Sequence, residues 1–346
     1  MQDFKKAIIS TVSVLLIIAV FSTSFFAITM PYSHNYDWHL RRDLAGTLDY
    51  LIVGASQGQC ALYTEEIDRT AGCSSYNLSY DAMKSYEKKY LLNREFARNN
   101  IKTVVLELSY DIFQSADRNS YTDANSFSLM RMDSFSDRMF YYLKYVNLKN
   151  KVFVYSEWMC TCLKGIGDAL LSKENFSSEQ AALKGSNLLP SKDYRLTQDE
   201  AAEVYNQDSW DVSSLNEETV KNYKEVIKLC HEHNADVIVA VVPVSDNYLW
   251  RVDGLDSFSE WMQNYCAEND ASYYDFNLLK NRFSLFSDKD CYSSDTHHMS
   301  EHGAKIFSKV FAEITQKAES GNNVDDMFYT SYEEMKQDSP YRKYMN

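Results

Sequence analysis

The chain has 346 residues, 45% of them hydrophobic and 24% charged, which fits one large or two small folded domains and excludes a disordered chain. Its net charge of −14 argues against a nucleic-acid partner, because phosphate backbones need a basic surface. The same charge predicts no attraction to anionic lipid headgroups.

The first element is apolar from Ala7 to Met30 and carries no charge. About 20 apolar residues cross a hydrocarbon core, and this run lacks the polar stripe of a buried core helix. It is read as a transmembrane signal anchor. Lys5 and Lys6, within residues 1–6, favour a cytoplasmic N-terminal tail and place the remainder outside. A cleaved signal peptide is the alternative; the run is long for one, and no Ala-x-Ala site follows. Residues 31–46 read as a linker.

Leu48 to Gly54 is a short apolar run ending in glycine, as a buried parallel strand requires. A helix is expected over Cys60 to Thr70, a short strand over Cys73 to Leu78 and an amphipathic helix over Asp81 to Asn99. Lys102 to Ser109 is another buried strand. Alternation then lapses, and residues 112–215 read as a helical and loop insertion, with helices near 136–150 and 152–172, placed as a cap over the site. It resumes with a helix from Leu215 to His233. A strand over Ala235 to Pro243 follows, closed by proline, then a helix over Leu255 to Glu268 and a strand over Ser272 to Phe276. The last helix is expected over Ser300 to Ala318. Residues 319–346 form a polar tail, expected to be peripheral. The result is an α/β domain over 47–318, with about five parallel strands and helices on both faces. Ligands in such sheets sit beyond the carboxyl ends of the strands.

Two motifs lie there. Gly54-Ala55-Ser56-Gln57-Gly58 follows the first strand and opens a helix. A serine at that place is near backbone N–H groups that favour a developing oxyanion, although serine also caps helices. Asp295-Thr296-His297-His298 precedes the last helix. A carboxylate three residues before a histidine can hold one ring nitrogen and leave the other to take a hydroxyl proton. Ser300 is placed to cap the helix. His298 and His302 also have metal-ligand spacing, but the intervening Glu301 is not in metalloprotease order. Seven cysteines leave at least one outside any intrachain pair, and Cys160-Thr-Cys162 is spaced too closely for a zinc pair. No metal and no cofactor are expected.

Ser56 on the first strand, with Asp295 and His298 ahead of the last helix, resembles the SGNH (GDSL) hydrolase superfamily. More narrowly, Tyr50–Gln59, Tyr76-Asn77-Leu78-Ser79, Val104–Asp111 and Asp295–Gly303 resemble its membrane-anchored DltD-like and alginate O-acetylation branch. The resemblance implies a three-layer, flavodoxin-like sheet. It makes Ser56 the nucleophile, His298 the base and Asp295 its orienter. The Gln57 and Ser79 amides become the expected oxyanion donors. The family's asparagine after the third strand is replaced by Ser109-Tyr110-Asp111. The implied activity is extracytoplasmic acetyl or D-alanyl transfer to an envelope glycan or teichoic acid, beside a membrane-bound O-acyltransferase partner. A carbohydrate O-acyl esterase, or a degenerate scaffold for such a partner, are the other readings.

Overall fold

The computed structural model describes residues 2–29, 41, 43–114, 129, 132, 134–171, 183–191, 208–250, 252–286, 290–293 and 297–339. The chain forms two compact units, Met1–Asp43 with Asn119–Ser178, and Leu44–Arg118 with Glu179–Asn346. The expected insertion of 112–215 therefore divides between them.

The larger unit is built on strands β1 (Tyr50–Val53), β2 (Ser75–Asn77), β3 (Thr103–Glu107), β5 (Asp236–Val241) and β7 (Ser272–Asp275), all parallel, in the order β2-β1-β3-β5-β7. Two-residue strands β4 (Asp208–Ser209) and β6 (Val252–Asp253) pair separately. The order steps outward from β1 in both directions, which marks a doubly wound sheet with its switch point beside β1. β1 and β3 are buried at every residue. That is why both read as continuous apolar runs.

The connecting helices are α2 (Ser56–Ala61), α3 (Thr64–Ala71), α4 (Ser85–Phe96), α7 (Glu217–Glu232), α8 (Leu255–Glu268) and α9 (Glu301–Glu319). The single helix expected over 60–70 is thus two, α2 and α3. They meet at Leu62 and Tyr63, both extended. Leu62 and Tyr63 point their apolar side chains into the core formed with Ile52, Val105, Ala240, Phe276, Phe307 and Phe311.

The C-terminal segment is not peripheral. Its helix α10 (Tyr332–Asp338) buries Tyr332 and Met335 in a second cluster with Val244, Leu249, Trp250 and Leu255. The Tyr332 hydroxyl donates to Asp275 Oδ2 at 2.6 Å. The spacing of Tyr329, Tyr332 and Met335, three residues apart, was the signal for this buried face.

The smaller unit holds α1 (Gln2–Thr29), α5 (Phe135–Tyr145) and α6 (Lys151–Leu171). Phe4–Ser22 of α1 is long and apolar enough to cross a bilayer, as an anchor or as a signal sequence.

Candidate active site at the carboxyl end of the sheet

β1 ends at Val53, and α2 begins three residues later at Ser56. The position before the helix belongs to Ala55, whose extended backbone makes the cap without a side-chain hydrogen bond. Ser56 is therefore the first helical residue and not the capping serine. It is half-buried, and its hydroxyl makes no hydrogen bond within the described residues. The next amide, that of Gln57, lies among the first-turn donors for which a helix supplies no acceptor.

A buried carboxylate supports this turn from below. Ala55 N–H donates to Glu107 Oε2 at 2.8 Å, and Glu107 is 1% exposed at the end of β3. A Cβ on Gly54 would lie 2.5 Å from that oxygen and 2.6 Å from Glu107 Cβ, and one on Gly58 would lie 2.9 Å from Glu107 Cβ. The two glycines of Gly54-Ala55-Ser56-Gln57-Gly58 are thus the space that Glu107 occupies. Burial pushes the Glu107 carboxyl above the usual range; the amides of Ala55 and Gly58 and the buried Lys88 act against that rise.

Asn77, at the end of β2, is the second support. Its side-chain amide donates to Gly58 O at 3.0 Å and Leu62 O at 2.9 Å, bracketing α2. Its oxygen accepts Ser79 N–H at 3.0 Å. The Ser79 amide, expected as an oxyanion donor, is engaged there. The buried Ser79 hydroxyl, with no partner among the described residues, stands 3.2 Å from where a Gly54 Cβ would be.

His298 is carried by a narrow loop ahead of α9. Ser293 N–H donates to His298 O at 3.0 Å, Ser300 N–H donates to Cys291 O at 3.0 Å, and Tyr292 and Met299 face each other as an antiparallel bridge. The Ser300 hydroxyl accepts Gly303 N–H at 3.2 Å, the expected cap, and itself donates to Asp290 O. Tyr292 anchors the loop to the sheet by donating to Val244 O at 2.9 Å, three residues past the end of β5. His298 is half-buried. Its ring centroid is 4.2 Å from that of His297, which is 5.2 Å from that of Tyr248. Asp295 lies outside the described residues.

The helices behind Ser56 and His298 are fastened together. Ser308 of α9 donates to Ala61 O at 3.0 Å and accepts Tyr63 N–H at 2.7 Å. A strap crosses on the other side: Asn187 N–H donates to Gln59 O at 3.0 Å, and Glu301 N–H donates to Leu189 O at 2.7 Å. Ser56 and His298 thus belong to one braced assembly at the carboxyl end of the sheet.

Beside it is a narrow slot of about 20 Å³, lined by Gln57, Ser109, Val242, Tyr248, Leu249 and Tyr332 among others. Ser109 and Tyr110, at the place of the family's asparagine, both face it. Among the described residues, its lining holds no carboxylate and no cation. Among the described residues no three His, Cys, Asp or Glu side chains gather as a metal ion needs.

Glu107 and Asn77 were not singled out from sequence as parts of the site. A lone acid inside the apolar run of β3 was the available signal for Glu107, since charges are rarely buried without a task.

No family model matches the chain, and no curated relative matches it. Similar solved structures include the psychrotrophic esterase EstA from Pseudoalteromonas sp., at 9% identity, covering 79% of this chain and 98% of that one with a TM-score of 0.39. A lipase/acylhydrolase from Enterococcus faecalis is 10% identical, covering 78% and 97% with a TM-score of 0.35. A GDSL-like lipase from Bacteroides thetaiotaomicron is 11% identical, covering 83% and 98% with a TM-score of 0.34.

Proposed function

We propose that the protein is a membrane-anchored serine acyltransferase that moves an acetyl group onto a hydroxyl of an extracytoplasmic glycan. The observation that carries this reading is the placement of Ser56. It opens α2 at the carboxyl end of the sheet and is spared from capping, and the far end of α2 is fastened to the helix that follows His298.

In this scheme His298 takes the Ser56 proton as the hydroxyl oxygen attacks the donor's acyl carbon, and Asp295 holds the imidazolium that results. The developing oxyanion is met by the Gln57 amide. Collapse of the tetrahedral species breaks the bond to the leaving group, which receives the proton from His298. The acyl-enzyme is then attacked by a sugar hydroxyl, whose proton passes to His298, and as the bond to the Ser56 oxygen breaks His298 returns that proton to it, regenerating the hydroxyl and the neutral imidazole.

The slot favours acetyl over D-alanyl. A space of about 20 Å³ is a little more than the 10–15 Å³ or so that one water needs, so it suits a methyl group. Retention of α1 as an anchor holds the enzyme beside a membrane-bound O-acyltransferase that supplies the donor, raising its effective concentration.

The test is the full chain in detergent with p-nitrophenyl acetate, with and without oligosaccharide acceptors, beside Ser56→Ala. Acetylated acceptor formed by the wild type alone supports transfer. Chromophore release with no acetylated acceptor supports an esterase instead. Identical behaviour of both proteins, with no acetyl adduct on Ser56, leaves only a scaffold role.

A further inference from the structure

The smaller unit exposes apolar side chains that its own packing does not use. Where α5 turns into α6, Tyr141, Val154 and Trp158 fill the interior, with the Arg138 guanidinium 6.0 Å from the Trp158 ring. Outside, Phe140 is 60% exposed, Leu143 64%, Leu148 85%, Val152 82% and Phe153 53%. A water-facing helical corner would carry polar groups at these places.

The charge of this corner departs from that of the chain. Residues 140–156 hold Lys144, Lys149 and Lys151 and no carboxylate, in a protein of net charge −14. Lys151 closes the end of α5 by donating to Leu143 O at 2.9 Å. Lys144 lies 4.8 Å from the Tyr145 ring and 5.2 Å from that of Phe140. Lysine and tyrosine flanking exposed Leu, Val and Phe is the composition of a surface lying at a bilayer interface. Protein interfaces are instead depleted in lysine.

Position points the same way. The hydroxyls of Ser22 and Tyr155 share a hydrogen bond of 3.0 Å, and Ser22 is the last residue of the stretch of α1 fit to cross a bilayer. Tyr155 therefore packs beside the carboxyl-terminal part of the apolar run, which continues past Ser22 through Phe25 and Phe26 to Met30. Val152 and Phe153 lie within one turn of Tyr155, about 3–5 Å along α6. α1 is itself exposed there, with Val20 and Phe21 at 65% and 66%.

We infer that the α5–α6 corner is a second, monotopic membrane contact. Phe140, Leu143, Leu148, Val152 and Phe153 enter the leaflet beside α1, while Lys144 and Lys149 meet lipid phosphates. The inference rests on retention of α1 in the membrane and is independent of the chemistry at Ser56.

The test uses the full chain in nanodiscs of phosphatidylcholine and phosphatidylglycerol, doped with phosphatidylcholine that carries a diazirine in its acyl chain. After illumination, lipid adducts are mapped by mass spectrometry. Adducts are expected on α1 and on 140–156, and not on 217–232 of the larger unit. Leu148→Asp with Val152→Asp, both at exposed positions, should lose the adducts on 140–156 and keep those on α1. Lys144→Gln with Lys149→Gln should lower the yield on 140–156 in discs containing phosphatidylglycerol and leave it unchanged in phosphatidylcholine alone. Adducts confined to α1, or a yield on 140–156 no higher than on 217–232, overturn the inference. So do protein–protein cross-links from 140–156 in place of lipid adducts, since they would make the corner a protein interface.

Discussion

Replacing Gly303 with alanine separates two effects that usually go together. Gly303 lies in the first turn of α9, and alanine is favoured over glycine within a helix by about 1 kcal/mol. Its amide would still reach the Ser300 hydroxyl. The added Cβ, however, would stand 2.2 Å from the carbonyl oxygen of Cys291, about 1 Å inside normal contact. The neighbour is backbone, so no rotamer change relieves the overlap. Either α9 or the loop from Cys291 to Ser300 must move. Overpacking of this kind costs about 1–3 kcal/mol, which cancels or reverses the gain expected from helix propensity and leaves a net loss of up to about 2 kcal/mol. The loop that yields is the one holding His298, and a displacement near 1 Å costs on the order of 10²-fold in rate. Stability is read by urea unfolding, and the site by the rate at which a fluorophosphonate labels Ser56. A Gly303→Ala protein that gains about 1 kcal/mol and labels at the wild-type rate would refute the claim that close packing of α9 positions His298.

Other consequences concern the supports around the site. Glu107→Ala removes the acceptor of Ala55 N–H and leaves a cavity under α2; a loss of about 2–4 kcal/mol is expected by denaturation, with slower fluorophosphonate labelling, whereas Glu107→Gln keeps an acceptor and much of both. Arg282 is 2% exposed, pairs with Asp246 Oδ1 at 2.8 Å and donates to Val244 O at 3.1 Å, so Arg282→Met should cost about 3–5 kcal/mol by leaving a buried carboxylate unpaired. Burial of Asp275 pushes its carboxyl from 3.8 to about 6, against the hydrogen bonds from Tyr332 and Asn277. The native state therefore holds this proton more tightly than the unfolded chain does. Stability from this group is present below about pH 4 and is lost as pH rises to about 6, by up to about 3 kcal/mol. Asp275→Asn should remove that slope from urea midpoints measured between pH 4 and 7; an unchanged slope would show that Asp275 is not its source.

The sheet was legible because its strands are buried on both faces. Tyr50–Val53, Thr103–Glu107 and Asp236–Val241 are apolar nearly throughout, and glycine or proline punctuates two of them. The helix over Leu255–Glu268 was legible at both ends, whereas the one expected over Asp81 to Asn99 is shorter at both, Ser85–Phe96. The break at Leu62 and Tyr63 was not legible, because extended residues that face the core carry the same apolar signature as a continuing helix. The docking of Tyr332 on Asp275 was hidden for a different reason: its partner is 57 residues away, so no local spacing links the two. At the site, Ser56 and His298 were legible as residue types at strand and helix ends. Their supports were not. Glu107 stands out in the sequence only as a lone acid in an apolar strand, Asn77 acts through backbone amides and carbonyls that leave no side-chain pattern, and the reason for Gly54 and Gly58 is visible only once Glu107 is seen between them.

The central claim is that Ser56 is a nucleophile activated by His298. The direct measurement is intact-protein and peptide mass spectrometry of the full chain quenched during reaction with p-nitrophenyl acetate, beside Ser56→Ala and His298→Ala. An acetyl adduct on Ser56 of the wild type, absent from both variants together with chromophore release, is the predicted result. Equal chromophore release by all three proteins, with no adduct on Ser56, would contradict it.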